Sequence, residues 1–139
     1  MFKKILVPTD LTKKSEKALD IALRIGSKDG FKITLLHVIE ILEGTDEEDF
    51  RDFYERLEKR AQKKMDEMVN LYEKENPTIN TAIVFGNRVR EIVSYTHDND
   101  TDLIVLSSHR IDKVDASRGW ATISYKVGVL SPCPVMMVK

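Results

Sequence analysis

Short apolar runs alternate with longer segments of mixed polarity along this chain. Residues 5–7, 33–38 and 103–106 are rich in aliphatic and β-branched residues and hold no turn residue. Such runs are typical of strands buried on both faces of a parallel sheet. Residues 79–85 alternate in polarity, which predicts a less deeply buried strand, and the apolar residues 135–138 predict a closing strand.

Between these runs, apolar residues recur at spacings of three and four, which predicts helices with one face on the sheet. The first helix begins after a cap at Thr12 or Ser15 and ends near Gly26. Its predicted apolar face consists of Ala18, Ile21, Ala22 and Ile25.

A longer helix is predicted in the middle of the chain. Thr45 and Glu48 form a capping-box pattern at its start, and it ends before Pro77. Its apolar stripe is formed by Phe50, Phe53, Leu57, Ala61, Met65, Met68 and Leu71.

Two shorter helices, over residues 89–96 and 123–130, complete a series of five strands and four helices. Consecutive parallel strands require right-handed crossovers with helices on both faces. The predicted fold is therefore α/β, an open doubly wound five-stranded parallel sheet in a three-layer α/β/α sandwich. At 139 residues the chain suits one domain, which we place at residues 1–139.

Composition and charge argue against several functional classes. Lysine and arginine total 22 against 23 aspartates and glutamates, so the chain lacks the overall basic field that drives nucleic-acid binding. No apolar run approaches the roughly 20 residues of a membrane span, and Met1 leads into a strand rather than a secretory signal. The single cysteine, Cys133, fits a reducing compartment. We therefore expect a cytoplasmic protein that binds neither nucleic acid nor membrane.

Polar residues follow the carboxyl ends of three predicted strands, where ligands bind in doubly wound sheets. Thr9 and Asp10 follow the first strand, residues 37–40 end the second, and residues 107–110 follow the fourth. Asp10 has two interpretations, because a carboxylate at this position either contacts a ligand or caps the first helix. The residues themselves leave both open.

Residue spacing indicates neither a metal site nor a catalytic arrangement. His37 and His109 leave the same sheet edge as Asp10, but no ligand spacing supports a metal, and a solvated or backbone-bonded histidine is the favoured interpretation. The chain contains no nucleophile elbow and no recognisable arrangement of serine, histidine and acid. We assign no catalytic residue.

Four stretches of the sequence resemble the universal stress protein family, and the likeness spans essentially the whole chain. They are Val7-Pro8-Thr9-Asp10, Leu36-His37-Val38, Asp102-Leu103-Ile104-Val105 and Pro132-Cys133-Pro134-Val135. In nucleotide-binding members of that family, adenine lies near the aspartate after the first strand and near backbone groups after the second. The resemblance therefore implies a cofactor site at Pro8, Thr9, Asp10 and Val38.

The phosphate-binding motif of that family is altered here. ATP-binding members carry a glycine, two residues, a second glycine, nine residues, a third glycine and then serine or threonine. Ser107, Arg110 and Ala121 stand in place of the three glycines, while Thr122 is retained and one extra residue intervenes. A β-carbon obstructs the approach of backbone amides to phosphate, although an arginine pairs with phosphate directly. The candidate cofactor-binding residues of this segment are Ser107, Ser108, His109, Arg110, Ala121, Thr122 and Ile123.

The resemblance implies a non-catalytic stress-response or signalling module, whose pocket binds ATP or AMP weakly or has lost nucleotide binding, with Mg²⁺ expected only if ATP binds. The alternative is a nucleotide-switched protein or slow ATPase in which Arg110 and Thr122 hold the phosphates. The resemblance also implies a homodimer through the last strand, Val135–Val138, whose apolar, uncharged edge would otherwise invite aggregation. A further protein partner of unknown identity is expected as well.

Overall fold

The computed structural model describes residues 2–26, 30–42, 48–72, 79–108 and 123–139. Five strands are described in these ranges: β1 (Lys4–Pro8), β2 (Lys32–Glu40), β3 (Ile79–Gly86), β4 (Leu103–Ser107) and β5 (Val135–Val138). They form one sheet in the order β3-β2-β1-β4-β5, and each strand is parallel to its neighbours.

Four helices are described between the strands: α1 (Lys13–Ile25), α2 (Arg51–Asn70), α3 (Arg88–Asp98) and α4 (Ile123–Leu130). None of them is long and apolar enough to cross a membrane. The central strands bury both of their faces because successive side chains of a strand point to opposite sides. Ile5 and Val7 of β1 join one core with α1 and α2, while Leu6 joins a second core with α3 and α4. Helices therefore cover both faces of the sheet, and the predicted three-layer α/β fold is confirmed.

The buried face of α1 differs from the predicted face. Ala18, Leu19 and Ala22 have no exposed surface, whereas Ile21 and Ile25 are only partly buried against the same core. Leu19 was absent from the predicted face, because a choice among several apolar residues of one helix depends on where the sheet lies.

The predicted stripe of α2 was wrong at its two ends. Tyr54 is buried and Phe53 is 42% exposed, so in the first turn the core-facing residue is the one after the predicted Phe53. Phe50 precedes the helix as its N-cap residue, and Leu71 follows the helix as its C-cap residue and is 67% exposed. Thr45 of the predicted capping box lies outside the described residues. Leu130, the last residue of α4, is exposed.

The winding direction of the sheet reverses at β1, which pairs with β2 on one side and β4 on the other. Past the end of β1, the backbone amide of Thr9 donates to the carbonyl of Leu36 at 2.8 Å. Past the end of β4, the amide of Ser108 donates to the carbonyl of Val138 at 2.8 Å. The two chain segments are thus held toward opposite neighbours, which opens a crevice between the carboxyl ends of β1 and β4.

Candidate functional site

A cleft of about 210 Å³ lies at this point of the sheet edge, and we call it the switch-point cleft. Its lining includes the buried apolar side chains Leu36, Ile92 and Leu106. The exposed Asp10 and the partly buried Arg88 supply charged groups at its opening. An apolar lining with a few convergent polar groups is the usual construction of a small-molecule site.

Asp10 organises the turn from β1 into α1. Its Oδ1 accepts hydrogen bonds from the backbone amide of Thr12 at 3.0 Å and from the Thr12 hydroxyl at 2.6 Å. Thr12 is the N-cap residue of α1 and makes no side-chain cap bond itself. Leu11, inside this turn, has a φ of 67°, a conformation that leucine rarely adopts. The structural role expected of Asp10 is therefore present, but it is an Asx turn that supports the N-cap residue rather than a direct cap.

The charge of Asp10 is stabilised by these contacts. Partial burial acts to raise the pKa of the carboxyl, but the hydrogen bonds from Thr12 and from its own amide, with the positive charge of Arg88, outweigh it. The pKa of Asp10 is consequently lowered from its ordinary value of 3.8. Asp10 is therefore an ionised acceptor at the opening of the cleft at neutral pH.

Two buried hydroxyl pairs join strand ends to the helices behind them. The hydroxyls of Thr9 and Ser15 lie 2.7 Å apart in a hydrogen bond, and those of Ser108 and Ser124 lie 3.0 Å apart. Burying a hydroxyl without a partner is costly, so each pair anchors one helix to one strand end. These contacts fix the positions of Thr9 and Ser108 in the lining of the cleft.

Ser107 connects β4 to α1 across the crevice. Its hydroxyl donates to the carbonyl of Lys14, in the first turn of α1, at 2.9 Å. Ser107 is the residue that replaces the first glycine of the family's phosphate-binding motif. Its side chain is thus held by α1 at a position where a glycine would have none.

His37 is bonded to the backbone beside the cleft. Its Nδ1 lies 2.9 Å from the carbonyl oxygen of Thr9, and since a carbonyl only accepts, Nδ1 donates. The favoured interpretation of His37 as a backbone-bonded histidine agrees with this contact. His109, the other histidine considered with Asp10, lies outside the described residues, and the described part of the chain contains no cluster of three metal-ligating side chains.

The structure brings a large part of the predicted cofactor site together. The predicted residues that line the switch-point cleft are Pro8, Thr9, Asp10, Val38, Ser107, Ser108 and Ile123. The remaining ones, His109, Arg110, Ala121 and Thr122, lie outside the described residues. That these side chains bind a cofactor stays a prediction.

Arg88 is a charged lining residue that the sequence interpretation missed. Gly86, with a φ of 145°, ends β3, and a β-carbon there would lie 2.7 Å from Glu91 Oε1. Asn87 then caps α3, since its Oδ1 accepts from the amide of Arg90 at 3.0 Å. This sharp strand-to-helix turn places Arg88 at the cleft. The signal was available, because Arg88 is a polar residue after a strand's carboxyl end, the criterion that selected Asp10.

The model of the universal stress protein family matches residues 1–139. The chain belongs to this family. The universal stress protein YxiE of Bacillus subtilis is 26% identical over 149 residues, and the match covers 100% of each chain. The solved structure of the hypothetical protein MJ0577 is 30% identical, with a TM-score of 0.85 over 100% of this universal stress protein and 96% of that chain.

Two further related structures contain an adenine nucleotide. A universal stress protein in complex with cAMP is 17% identical, with a TM-score of 0.75 over 99% of this chain and 97% of that one. A universal stress protein family member from Arabidopsis thaliana with AMP bound is 23% identical, with a TM-score of 0.68 over 99% and 91% of the two chains. At these identities the likeness establishes the shared fold of the universal stress proteins.

Proposed function

We propose that this universal stress protein is a non-catalytic stress-response or signalling module that binds an adenine nucleotide weakly in the switch-point cleft. The observation that carries the proposal is that Asp10, Val38 and Ser107, from three different segments, line one concave site. The cAMP and AMP complexes of structurally similar proteins support adenine nucleotides as the ligand class.

The cleft offers suitable contacts for the nucleoside half of such a ligand. Leu36, Ile92 and Leu106 supply apolar surface for a planar base. The ionised carboxylate of Asp10 accepts hydrogen bonds, which suits the hydroxyl groups of a ribose. The base and sugar therefore provide the main contacts in this proposal.

The phosphate half is the reason for proposing weak binding. Ser107 carries a β-carbon where a glycine would leave backbone amides accessible, and its hydroxyl is already engaged with the carbonyl of Lys14. That hydroxyl must leave Lys14 before it can donate to a phosphate, which lowers the net gain from binding.

The contacts of Thr9 and Ser107 argue against either of them as a catalytic nucleophile. A nucleophilic hydroxyl needs an adjacent base to remove its proton. Thr9 is paired with Ser15, and Ser107 donates to a backbone carbonyl, so these contacts supply no such base. The alternative of a slow ATPase rests on Arg110 and Thr122, which lie outside the described residues.

The proposal is tested by calorimetry with ATP and AMP, and by mass spectrometry of denatured protein to detect copurified nucleotide. We expect dissociation constants weaker than about 1 μM and no stoichiometric nucleotide. Submicromolar ATP binding would overturn the proposal of weak binding. Release of phosphate from ATP and Mg²⁺ above the buffer rate would favour the slow ATPase instead.

A pair of double variants locates the obstacle to phosphate. Ser107→Gly with Arg110→Gly is expected to strengthen ATP binding, because it removes both β-carbons. Ser107→Ala with Arg110→Ala is the matched control, since it removes the hydroxyl and guanidinium but keeps the β-carbons. Equal affinities of the two double variants would show that the β-carbons are not the obstacle.

We also propose that two copies associate through β5. This strand pairs with β4 on one side, and no strand among the described residues pairs with its other side. Met136 and Met137 are 38% and 42% exposed, and Val129 and Leu130 on the preceding α4 are exposed too. An apolar edge strand of this kind favours pairing with a second copy about a two-fold axis. The further protein partner stays a prediction.

Sedimentation at micromolar concentration is expected to give about twice the 16.0 kDa chain mass. Met136→Lys should shift the protein toward monomer, because it places a charge on the pairing edge. Leu71→Lys is the matched control, since Leu71 is exposed beside α2, far along the chain from β5. A monomeric native chain, or equal dimer content in both variants, would contradict the β5 interface.

A further inference from the structure

A second concavity, of about 280 Å³, lies between α2 and the carboxyl end of β2, and we call it the α2 groove. His37 and Glu40 line it from β2, and Arg60 and Lys64 line it from α2. Arg88 lines both the α2 groove and the switch-point cleft. Val38 lines both concavities as well, so the two adjoin at Val38 and Arg88, of which Arg88 carries the charge.

Positive charge predominates in the α2 groove. Arg60, Lys64 and Arg88 line it, and Glu40 is the one carboxylate among the described residues that do so. The Glu40 Oε1 lies 3.8 Å from the Arg88 Nε, which is longer than a hydrogen bond, and both side chains are about half exposed. Within the described part of the chain, neither Arg60 nor Lys64 takes part in an ion pair. At least two of the three cations are therefore available to an anion.

The placement of these charges on α2 is unfavourable for the helix itself. Arg60 and Lys64 are four residues apart, and like charges at that spacing repel each other and destabilise a helix. Opposite charges at that spacing would have stabilised it. An anion bound between the two side chains would replace their mutual repulsion with attraction to the anion.

The two flanks of α2 also differ in charge. The concavity on its other flank is lined by the acidic side chains Glu48, Glu55 and Glu58, with Arg51 as the lining cation. A generally solvated helix surface mixes charges of both signs. The segregation of charge instead gives α2 one flank that attracts anions.

We propose that the α2 groove binds a phosphate group through Arg60, Lys64 and Arg88. Guanidinium groups pair with phosphate through two parallel hydrogen bonds, and a concave wall concentrates their field. The proposal does not depend on nucleotide binding in the switch-point cleft. Because Arg88 lines both sites, the phosphate belongs either to a separate ligand or to a nucleotide whose base occupies the cleft.

The experiment titrates pyrophosphate into the full chain at low ionic strength and follows the arginine Nε–H signals by NMR. Arg60 and Arg88 are expected to shift with one common dissociation constant. Arg56 on the same helix does not line the groove, and its signal should stay in place. Equal shifts at Arg56 would overturn the proposal, because they would indicate attraction to the whole helix.

Single substitutions measure each contribution. Arg60→Ala and Lys64→Ala are each expected to weaken pyrophosphate binding about fivefold, the effect of losing one exposed charge contact. Lys63→Ala is the matched control, since it removes the same charge from the same helix outside the groove. Equal losses in Lys63→Ala and Lys64→Ala, or citrate binding as tight as pyrophosphate, would overturn the phosphate site.

A second titration, at a saturating AMP concentration, separates the two sources of phosphate. An unchanged pyrophosphate affinity supports a separate phosphorylated ligand in the α2 groove. If AMP instead competes with pyrophosphate, and Lys64→Ala weakens this competition, the result supports a nucleotide whose own phosphate reaches the groove. Absence of any pyrophosphate binding, with or without AMP, would overturn the proposal while leaving nucleotide binding in the switch-point cleft unaffected.

Discussion

The two ends of β1 are each joined to an aspartate, and the two carboxylates have different surroundings. At the amino end, Asp102 accepts from the amides of Lys3 at 2.8 Å and Lys4 at 3.1 Å, and its own amide donates to the Lys4 carbonyl at 2.9 Å. At the carboxyl end, Asp10 bonds to Thr12 in a local turn and faces the switch-point cleft.

The difference follows from the direction of the strands. The amino ends of parallel strands present unpaired N–H groups, which a carboxylate satisfies, so Asp102 fastens β4 to β1. The carboxyl ends present carbonyl groups, which need donors, and there His37 Nδ1 donates to the Thr9 carbonyl. At the amino end of β1 the aspartate therefore joins two strands, while at the carboxyl end the aspartate faces the switch-point cleft.

The largest expected effect is on stability at the amino end. Asp102→Ala should lower the free energy of unfolding by roughly 1–2 kcal/mol, because two backbone amides lose a charged acceptor. Urea unfolding measures the loss, and AMP affinity should be unchanged. Asp98→Ala is the control, since the side chain of Asp98 makes no hydrogen bond or ion pair among the described residues. If Asp102→Ala lowered the AMP affinity and left stability unaltered, the structural role assigned to Asp102 would be contradicted.

A smaller effect is expected at the cleft wall. Ser124→Ala should lower the free energy of unfolding by about 1 kcal/mol, because it leaves the buried hydroxyl of Ser108 without its partner. Ser108→Ala and the double variant complete a mutant cycle. The double variant should lose less stability than the sum of the single variants. Additive losses would show that the two hydroxyls do not depend on each other.

The smallest effect is the pH dependence of Asp10. Its folded-state pKa is lowered, so its contribution to stability is present above the unfolded value of about 3.8 and is lost as pH falls through the folded value. Asp10→Asn keeps the Oδ1 acceptor but cannot ionise, so the pH-dependent contribution disappears. That contribution to the free energy of unfolding is expected to be less than about 1 kcal/mol, since the group is largely exposed. Urea unfolding from pH 6 to about pH 2 measures it, with Asp98→Asn as the charge control. A parallel pH dependence in native protein and Asp10→Asn would contradict the assignment.

The sequence predicted much of the candidate site because one rule locates it. Polar residues at the carboxyl ends of parallel strands converge, and this rule selects Thr9, Asp10 and Ser107 from the sequence alone. Arg88 obeys the same rule but was not predicted, because the apolar pattern of β3 is weaker than that of β1, β2 and β4. Ser15 and Ser124 could not be predicted by this rule, since they lie on helices. Their role depends on the hydroxyl groups of Thr9 and Ser108, with which they form hydrogen bonds.

The sequence by itself determined the alternation of strands and helices, and with it the fold class, because apolar periodicity is a local property of the chain. It also carried the four stretches that resemble the universal stress protein family. Tertiary structure decided which apolar side chains of α1 and α2 are buried, such as Leu19 and Tyr54. It alone decided that Arg60, Lys64 and Arg88 line one groove. Those outcomes depend on contacts between segments far apart in the chain, and the local spacing of residues does not specify how distant segments pack together.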